Sequence, residues 1–206
     1  MARTDSKTLV VATHNLDKLE EIKAILFDVG FTVLSAKDFP NFPEVEERGD
    51  SIEANAILKA TEVQRATGLP ALADDTGLEV EALDGAPGVY SSRYAGGNAS
   101  YAENVAKLLK NMRNIPGENR GARFRCVMAL ADGKHVLTAE GRCDGEILRA
   151  SKGHGGFGYD PVFFVPAQNQ TFAEMTKEVK NRISHRGKAL ERIRPMIVQL
   201  FEVAAD

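Results

Sequence analysis

The sequence predicts an α/β fold built on a parallel or mixed sheet, and two observations carry that expectation. The apolar run Leu9-Val10-Val11-Ala12-Thr13 passes through a helix-patterned segment to a second apolar run, Phe31-Thr32-Val33-Leu34, which together make a β-α-β unit. A second helix-patterned segment then hands the chain to Pro70-Ala71-Leu72-Ala73, so strands and helices alternate. The 206 residues suffice for one large domain or two small lobes with a real core. A formal net charge of -3 brings no basic excess, which disfavours a nucleic-acid polymer as partner. No apolar run approaches a membrane span, and Met1-Ala2-Arg3-Thr4-Asp5-Ser6-Lys7 is not followed by a signal-peptide core, so a cytoplasmic protein is expected.

Taken in order, Leu9 to Thr13 reads as a buried strand. Asn15 is a good N-cap for a helix from about Leu16 to Phe27, with Leu19, Ile22 and Leu26 inward and Gly30 at its close. A Pro- and Glu-rich loop covers residues 37–49. Asp50, with Glu53 three residues on, marks the next helix start; that helix runs to about Thr67 and ends at Gly68-Leu69-Pro70. Its core side is Ile52, Ala56 and Val63.

The run Ala73-Asp74-Asp75-Thr76-Gly77-Leu78-Glu79-Val80 joins two strand patterns, with the Asp pair at the end of the first and Gly77 turning the chain. Neighbouring strand residues point to opposite faces, so both carboxylates serve one point only if the strand has already ended. Otherwise one meets a ligand while the other orients a loop or lies behind it.

Asp84-Gly85-Ala86-Pro87-Gly88 is a turn, and Val89 to Tyr94 reads as extended before Ala95-Gly96-Gly97 breaks it. Ser100 caps a helix with Val105, Leu108, Leu109 and Met112 on its apolar side. A hairpin follows with Asp132-Gly133 at its tip, Phe124, Cys126, Met128 and Leu130 facing Leu137 and Ala139, and Arg125 opposite Glu140. In that register Cys126 and Cys143 lie four pairs apart, roughly 13 Å at the strand rise, too far for a disulfide. Val162-Phe163-Phe164-Val165 is a strand, and Ser184 caps a last helix with Leu190, Ile193, Ile197 and Leu200 inward and a kink or restart at Pro195. Residues 1–206 read as a single domain, with a candidate second lobe at about 80–150.

Five stretches beside the Asp pair are candidates for chemistry. Thr13-His14-Asn15-Leu16-Asp17-Lys18 runs from strand into helix, where backbone N–H groups and the positive dipole end suit a triphosphate tail; the glycines and Gly-Lys-Ser/Thr ending of a Walker loop are missing. Asn55 and Lys59 lie four apart on one helix face, where Lys59 either snorkels or reaches a phosphate. Gly153-His154-Gly155-Gly156-Phe157-Gly158-Tyr159-Asp160-Pro161 pairs glycines, which allow close approach, with two aromatic faces for stacking a base. Lys180-Asn181-Arg182-Ile183-Ser184-His185-Arg186-Gly187 places cations at a helix start, where the dipole disfavours them, hinting at a ligand anion or base edge. The acidic run Glu44, Glu46, Glu47 is either a solvated loop or the second oxygen ligand of a hard cation shared with Asp75.

In this order the stretches resemble the inosine/xanthosine triphosphate pyrophosphatase family, in its bacterial branch, over nearly the whole chain. The resemblance rests on Ala12-Thr13-His14-Asn15 with Lys18, Asn55-Ala56 with Lys59, and Ala73-Asp74-Asp75-Thr76-Gly77-Leu78. It continues in Pro87-Gly88-Val89-Tyr90-Ser91-Ser92-Arg93-Tyr94, Gly155-Gly156-Phe157-Gly158-Tyr159-Asp160-Pro161 and Ile183-Ser184-His185-Arg186-Gly187-Lys188-Ala189-Leu190. It implies an elongated two-lobed α/β fold, a mixed twisted sheet with flanking helices and the site in the cleft, assembled as a homodimer. It implies Mg2+-dependent hydrolysis of ITP, dITP and XTP to the monophosphate and pyrophosphate. By motif position Asp75 is then the catalytic base and a metal ligand, and Glu47 the other metal carboxylate. The substrate-binding positions become Thr13, His14, Asn15, Leu16, Asp17, Lys18, Lys59, Thr76, Phe157, Gly158, Tyr159, Asp160, Lys180, His185 and Arg186. The chain departs from the family pattern in Thr76, where Ser is commoner, in His14, where Gly is common, and in Ala54, which replaces a frequent Glu.

Overall fold

The protein is described by a computed structural model covering residues 7–27 and 30–203; the reading of residues 1–6 lies outside them. The order of elements is the alternation the sequence implies: β1 Thr8–Val11, α1 Leu16–Ile25, β2 Thr32–Leu34, α2 Ile52–Thr67, β3 Ala71–Val80, β4 Pro87–Gly88, α3 Tyr101–Asn111, β5 Gly121–Ala131, β6 Val136–Ile147, β7 Phe163–Val165, β8 Gln170–Thr171, α4 Lys177–Ile183 and α5 His185–Val203. The strands form one mixed sheet in the order β2-β1-β3-β5-β6-β7-β8, with β4 attached to β3. β1 runs parallel to β2 (Thr8 opposite Thr32) and to β3 (Val10 opposite Ala71), so α1 and α2 are crossover helices of two β-α-β units. The β4, β7 and β8 pairings are antiparallel.

The chain divides into two compact units, Met1–Asp75 with Cys126–Gly141 and Gly187–Asp206, and Thr76–Arg125 with Arg142–Arg186. In the first, Leu9 and Val11 of β1 and Leu72 of β3 pack with Leu19, Ile22 and Leu26 and with Leu190, Ile193, Ile197 and Phe201 of α5. In the second, Leu78 and Val80 pack with Val105, Leu108 and Met112 of α3 and with Phe124, Phe163 and Phe172.

Local signals fix the helices much as read. Asn15 caps α1 through its side-chain oxygen, which accepts from the Asp17 and Lys18 N–H groups. Ser100 caps α3 in a capping box with Glu103. α2 starts one residue later than expected: Ser51, not Asp50, is its cap, its hydroxyl accepting from the Ala54 N–H at 3.1 Å, and Gly68 closes the helix in the left-handed region at φ 69°. α5 runs through Pro195 as one helix without restarting.

Several expectations give way. The largest concerns β3, which is a single ten-residue strand through Asp74, Asp75, Thr76 and Gly77 rather than two strands joined by a turn. Residues 91–93 form a 3-10 turn rather than extended chain, held where the Ser91 hydroxyl donates to the Gly88 carbonyl and accepts from the Leu78 N–H. The hairpin tip is Gly133-Lys134: the Asp132 N–H donates to the His135 carbonyl, so the loop sits one residue further along than Asp132-Gly133. The Asp132 carboxylate explains the choice, because it accepts from the Lys134 and His135 N–H groups at 2.7 and 2.6 Å. Leu137 is 44% exposed instead of facing a core. Both cysteines are free and buried, as expected.

Candidate active site

The continuity of β3 decides where its two carboxylates go. Alternation along the strand sends them to opposite faces. Asp74 shares its face with Leu72, which packs on α1, and it pairs with Lys18 in the first turns of α1 at 3.0 Å. Asp75 takes the other face and meets α2, where the Lys59 Nζ lies 2.7 Å from its Oδ1. Each Asp thus has a lysine from a different crossover helix, and Asp75 joins the acidic loop.

That loop arrives through Lys59. The same ammonium donates to Glu47 Oε1 at 2.9 Å, while Glu46 turns outward to Arg48 on the surface. Glu47 and Asp75 therefore share one cation. Asn55, one turn before Lys59 and fully buried, completes the group: its Oδ1 accepts the Gly49 N–H at 2.7 Å and its Nδ2 faces Asp75 Oδ2 at 3.5 Å. Burial pushes the Asp75 carboxyl above the usual range, the ammonium groups of Lys59 and Lys18 pull the other way, and Glu47 adds to the rise. Burial also works against the charged form of Lys59, but Asp75, Asp74 and Glu47 outweigh it and hold its ammonium firmly protonated.

The turn before α1 is more self-contained than its sequence implied. The Thr13 hydroxyl accepts the Asn15 N–H at 3.1 Å, and Asn15 is occupied as the cap. Leu16 and Asp17 lie exposed in the first turn of the helix. His14 is exposed, its ring edge-on to Phe42 at 5.3 Å and its Nε2 3.4 Å from the Pro43 carbonyl.

The second unit gathers the other candidates. Lys180 donates to Asp160 at 2.6 Å, and the same carboxylate oxygen accepts the Phe157 N–H at 2.8 Å, which fixes the loop around Phe157. Lys180 Nζ lies 4.7 Å and the Arg186 guanidinium 5.6 Å from the Phe157 ring centroid, so the half-buried ring faces two cations. Arg186 also donates to the Thr76 hydroxyl at 3.2 Å, and His185 stacks on Phe124 with centroids 4.5 Å apart. Two readings of the glycine loop are corrected here. Tyr159 offers no stacking face: it is 5% exposed, its hydroxyl donates to the Ser91 carbonyl at 2.9 Å, and burial holds that phenol well above its usual range. Gly153 and Gly156 serve the protein's own packing, since a Cβ would meet the Ala173 backbone at one and the Asp160 carboxylate at the other. Gly158 alone, at φ 63°, has open space beside it.

The sequence reading assigned no task to Asn55 and none to the Asp74–Lys18 pair. The adjacency of the two Asp residues was the signal for the second, once the strand is known to continue.

A mixed α/β sheet carrying two buried carboxylates, each paired with a lysine from a different crossover helix, gathers perturbed charges of the kind that cluster at functional sites. The Ham1 family pattern matches residues 9–196. The dITP/XTP pyrophosphatase of Geobacter sulfurreducens is 56% identical over 183 residues, 88% of this chain and 92% of its own length. That of Desulforamulus reducens is 52% identical over 194 residues, 94% of this chain and 96% of its own. Among solved structures, a HAM1 protein from Coxiella burnetii superposes with a TM-score of 0.85 at 42% identity, covering 94% of this chain and 99% of its own. The chain belongs to the Ham1 family, as the resemblance of its motifs implied.

Proposed function

We propose that this protein hydrolyses the non-canonical purine nucleoside triphosphates ITP, dITP and XTP to the monophosphate and pyrophosphate, clearing them from the nucleotide pool. The names of its relatives support the substrate class. The single observation that carries the chemistry is Asp75, a buried carboxylate held 2.7 Å from the Lys59 ammonium and facing the Asn55 amide.

In this reading Asp75 takes the proton of the attacking water as its oxygen bonds to the α-phosphorus, and pyrophosphate leaves with the electron pair of the α–β bridge. Burial favours the task, because a carboxylate of raised pKa is a stronger base. Lys18 and Lys59 offset charge on the departing tail. The strand-to-helix turn at residues 13–18 presents the positive end of α1 to the phosphates.

Mg2+ is part of the proposal. Glu47 and Asp75, which already converge on a shared cation, the Lys59 ammonium, are the carboxylates that would hold it. When bound, Mg2+ neutralises phosphate oxygens and polarises the water.

For the base, Phe157 supplies the stacking face, and His185, Arg186 and the backbone of residues 157–160 supply donors aimed at O6. Hypoxanthine and xanthine present an acceptor at C6, whereas adenine presents an amino group. A site built to hydrogen-bond a substrate group can reject its mismatch by ~10⁴-fold or more. Guanine shares O6 and N1–H, so its margin is smaller. The proposal also includes a homodimer in the cytoplasm; among the described residues no helix is long and apolar enough to cross a membrane.

The test is steady-state hydrolysis of ITP, dITP, XTP, GTP and ATP with Mg2+, reading pyrophosphate and orthophosphate separately. Pyrophosphate from the first three, with kcat/KM far above that for ATP, is expected. Orthophosphate would point to an aspartyl-nucleophile phosphatase, absence of turnover to a nucleotide sensor, and equal kcat/KM for ITP and ATP would reject the base pocket.

A further inference from the structure

Asn55 is a fully buried polar side chain with neither a charge nor a proton to give up at ordinary pH, yet it sits at the centre of the carboxylate cluster. Its orientation is fixed. A backbone N–H only donates, so the atom 2.7 Å from the Gly49 nitrogen is the carbonyl oxygen Oδ1, and the NH2 group must point the other way. What it points at is Asp75 Oδ2, 3.5 Å away, while Lys59 occupies Oδ1 of the same carboxylate. The amide thus reads an N–H from the acidic loop on one side and a carboxylate from β3 on the other.

Gly49 is shaped for this contact. A Cβ there would lie 2.7 Å from Asn55 Oδ1 and 2.9 Å from the Ala54 Cβ, so a side chain would push the loop off the amide. Gly49 stands two residues after Glu47, whose carboxylate reaches the same Lys59 as Asp75. The 3.5 Å arm is long for a hydrogen bond; contacts of this kind often tighten only when substrate is bound.

We propose that Asn55 is a positioning residue that locks the loop carrying Glu47 in register with Asp75, so that the two carboxylates meet the triphosphate as one unit. This rests on the hydrolytic role given to Asp75. Asn55 itself is given no proton to move and no phosphate to hold; it acts through the placement of both carboxylates. The two arms make separate demands: the Gly49 arm needs an acceptor, the Asp75 arm needs a donor. Asp at this position keeps the first and replaces the second by a like charge. Ala keeps neither.

The experiment reads Gly49 amide hydrogen exchange together with kcat and KM for dITP with Mg2+ in N55A, N55D, G49A and the N55A/G49A double variant. In N55A the Gly49 amide is expected to exchange at least about tenfold faster, and kcat to fall by about 10²-fold, the scale of an ångström-sized misplacement, with KM changed far less. N55D is expected to keep the amide protected and still lose kcat, separating the two arms. G49A should show the N55A loss, and the double variant should be no worse than either single, because residues acting through one contact are not additive. The proposal is overturned if N55A keeps kcat within about twofold, or if the single losses multiply in the double variant as for independent sites. If N55A fails to fold, N55D decides: a protected Gly49 amide with wild-type kcat overturns the proposal, and a protected amide with lost kcat upholds it. Amide exchange does not depend on the identity of the substrate, so a wild type that hydrolysed none of the triphosphates would refute the proposed function while the loop tie is read independently.

Discussion

Replacing Lys59 with Met tests whether the site is held together by charge. Met keeps most of the length and the apolar stem but removes the ammonium that bridges Asp75 at 2.7 Å and Glu47 at 2.9 Å. The two carboxylates will not respond alike. The Glu47 side chain is 24% exposed and can regain water, whereas that of Asp75 is 6% exposed and regains far less. Breaking a buried pair by removing one partner costs about 3–5 kcal/mol, because the remaining charge is left without compensation. Rehydration of Glu47 and the Coulombic help that Lys18 gives Asp75 place the expected cost near the lower end, about 3 kcal/mol. In a chain of 206 residues that is a fall in Tm of about 6–12 °C, readable by scanning calorimetry. The double variant K59M/D75N removes the stranded charge as well, and should recover at least half of the loss if that charge is the cause. A fall below about 2 °C for K59M, or a double variant no more stable than the single, would refute the reasoning.

Asp75→Asn is expected to lower kcat by at least ~10²–10⁴-fold, the loss typical of a missing general base, while nucleotide binding by calorimetry stays largely intact; retention of more than about a tenth of the wild-type rate would remove Asp75 from that role. Lys18→Ala should weaken ITP binding far more than inosine binding, since the lysine stands at the positive end of α1; equal affinities for wild type and variant would take the phosphates away from that turn. Partial burial works to raise the Asp132 carboxyl, but the backbone N–H groups of His135 and Lys134 outweigh it and hold it below the usual range. Stability from this group is therefore present above the unfolded value near 3.9 and lost as pH falls through the lower folded value. Asp132→Ala should cost about 1 kcal/mol at neutral pH, with the gap to wild type narrowing below pH ~4; a gap independent of pH down to acid unfolding would exclude the carboxylate as its source.

Much of the fold was legible because its signals are local. Asn15, Ser100 and Gly68 act on their own backbone neighbours, and the apolar spacing of α1 and α3 needs no partner to be recognised. The strand through Asp74-Asp75-Thr76-Gly77 was hidden because Asp and Gly are depleted in strands and enriched in turns. The cause is tertiary: β3 runs between β1 and β5 in the sheet, and lysines from two helices meet its carboxylates, one on each face, neither visible in the strand's own composition. The same cause hid Asn55, which looks like a flank residue of α2 until Gly49 and Asp75 are in place around it. Tyr159 was misjudged for the reverse reason. An aromatic in a glycine-rich loop reads as available, but its hydroxyl reaches the Ser91 carbonyl, 68 residues away in sequence. The short helix α4 went unread, although the Lys180 it positions lies over Phe157 at the candidate base site. Seven residues give too little periodicity to stand out.

The central claim is that water attacks the α-phosphorus, and isotope labelling tests it most directly. The protein is incubated with dITP and Mg2+ in ¹⁸O-enriched water, and both products are analysed by mass spectrometry. The expected result is one ¹⁸O in the phosphate of dIMP and none in the pyrophosphate. Label in the pyrophosphate, or release of labelled orthophosphate, would place the attack on another phosphorus and contradict the account.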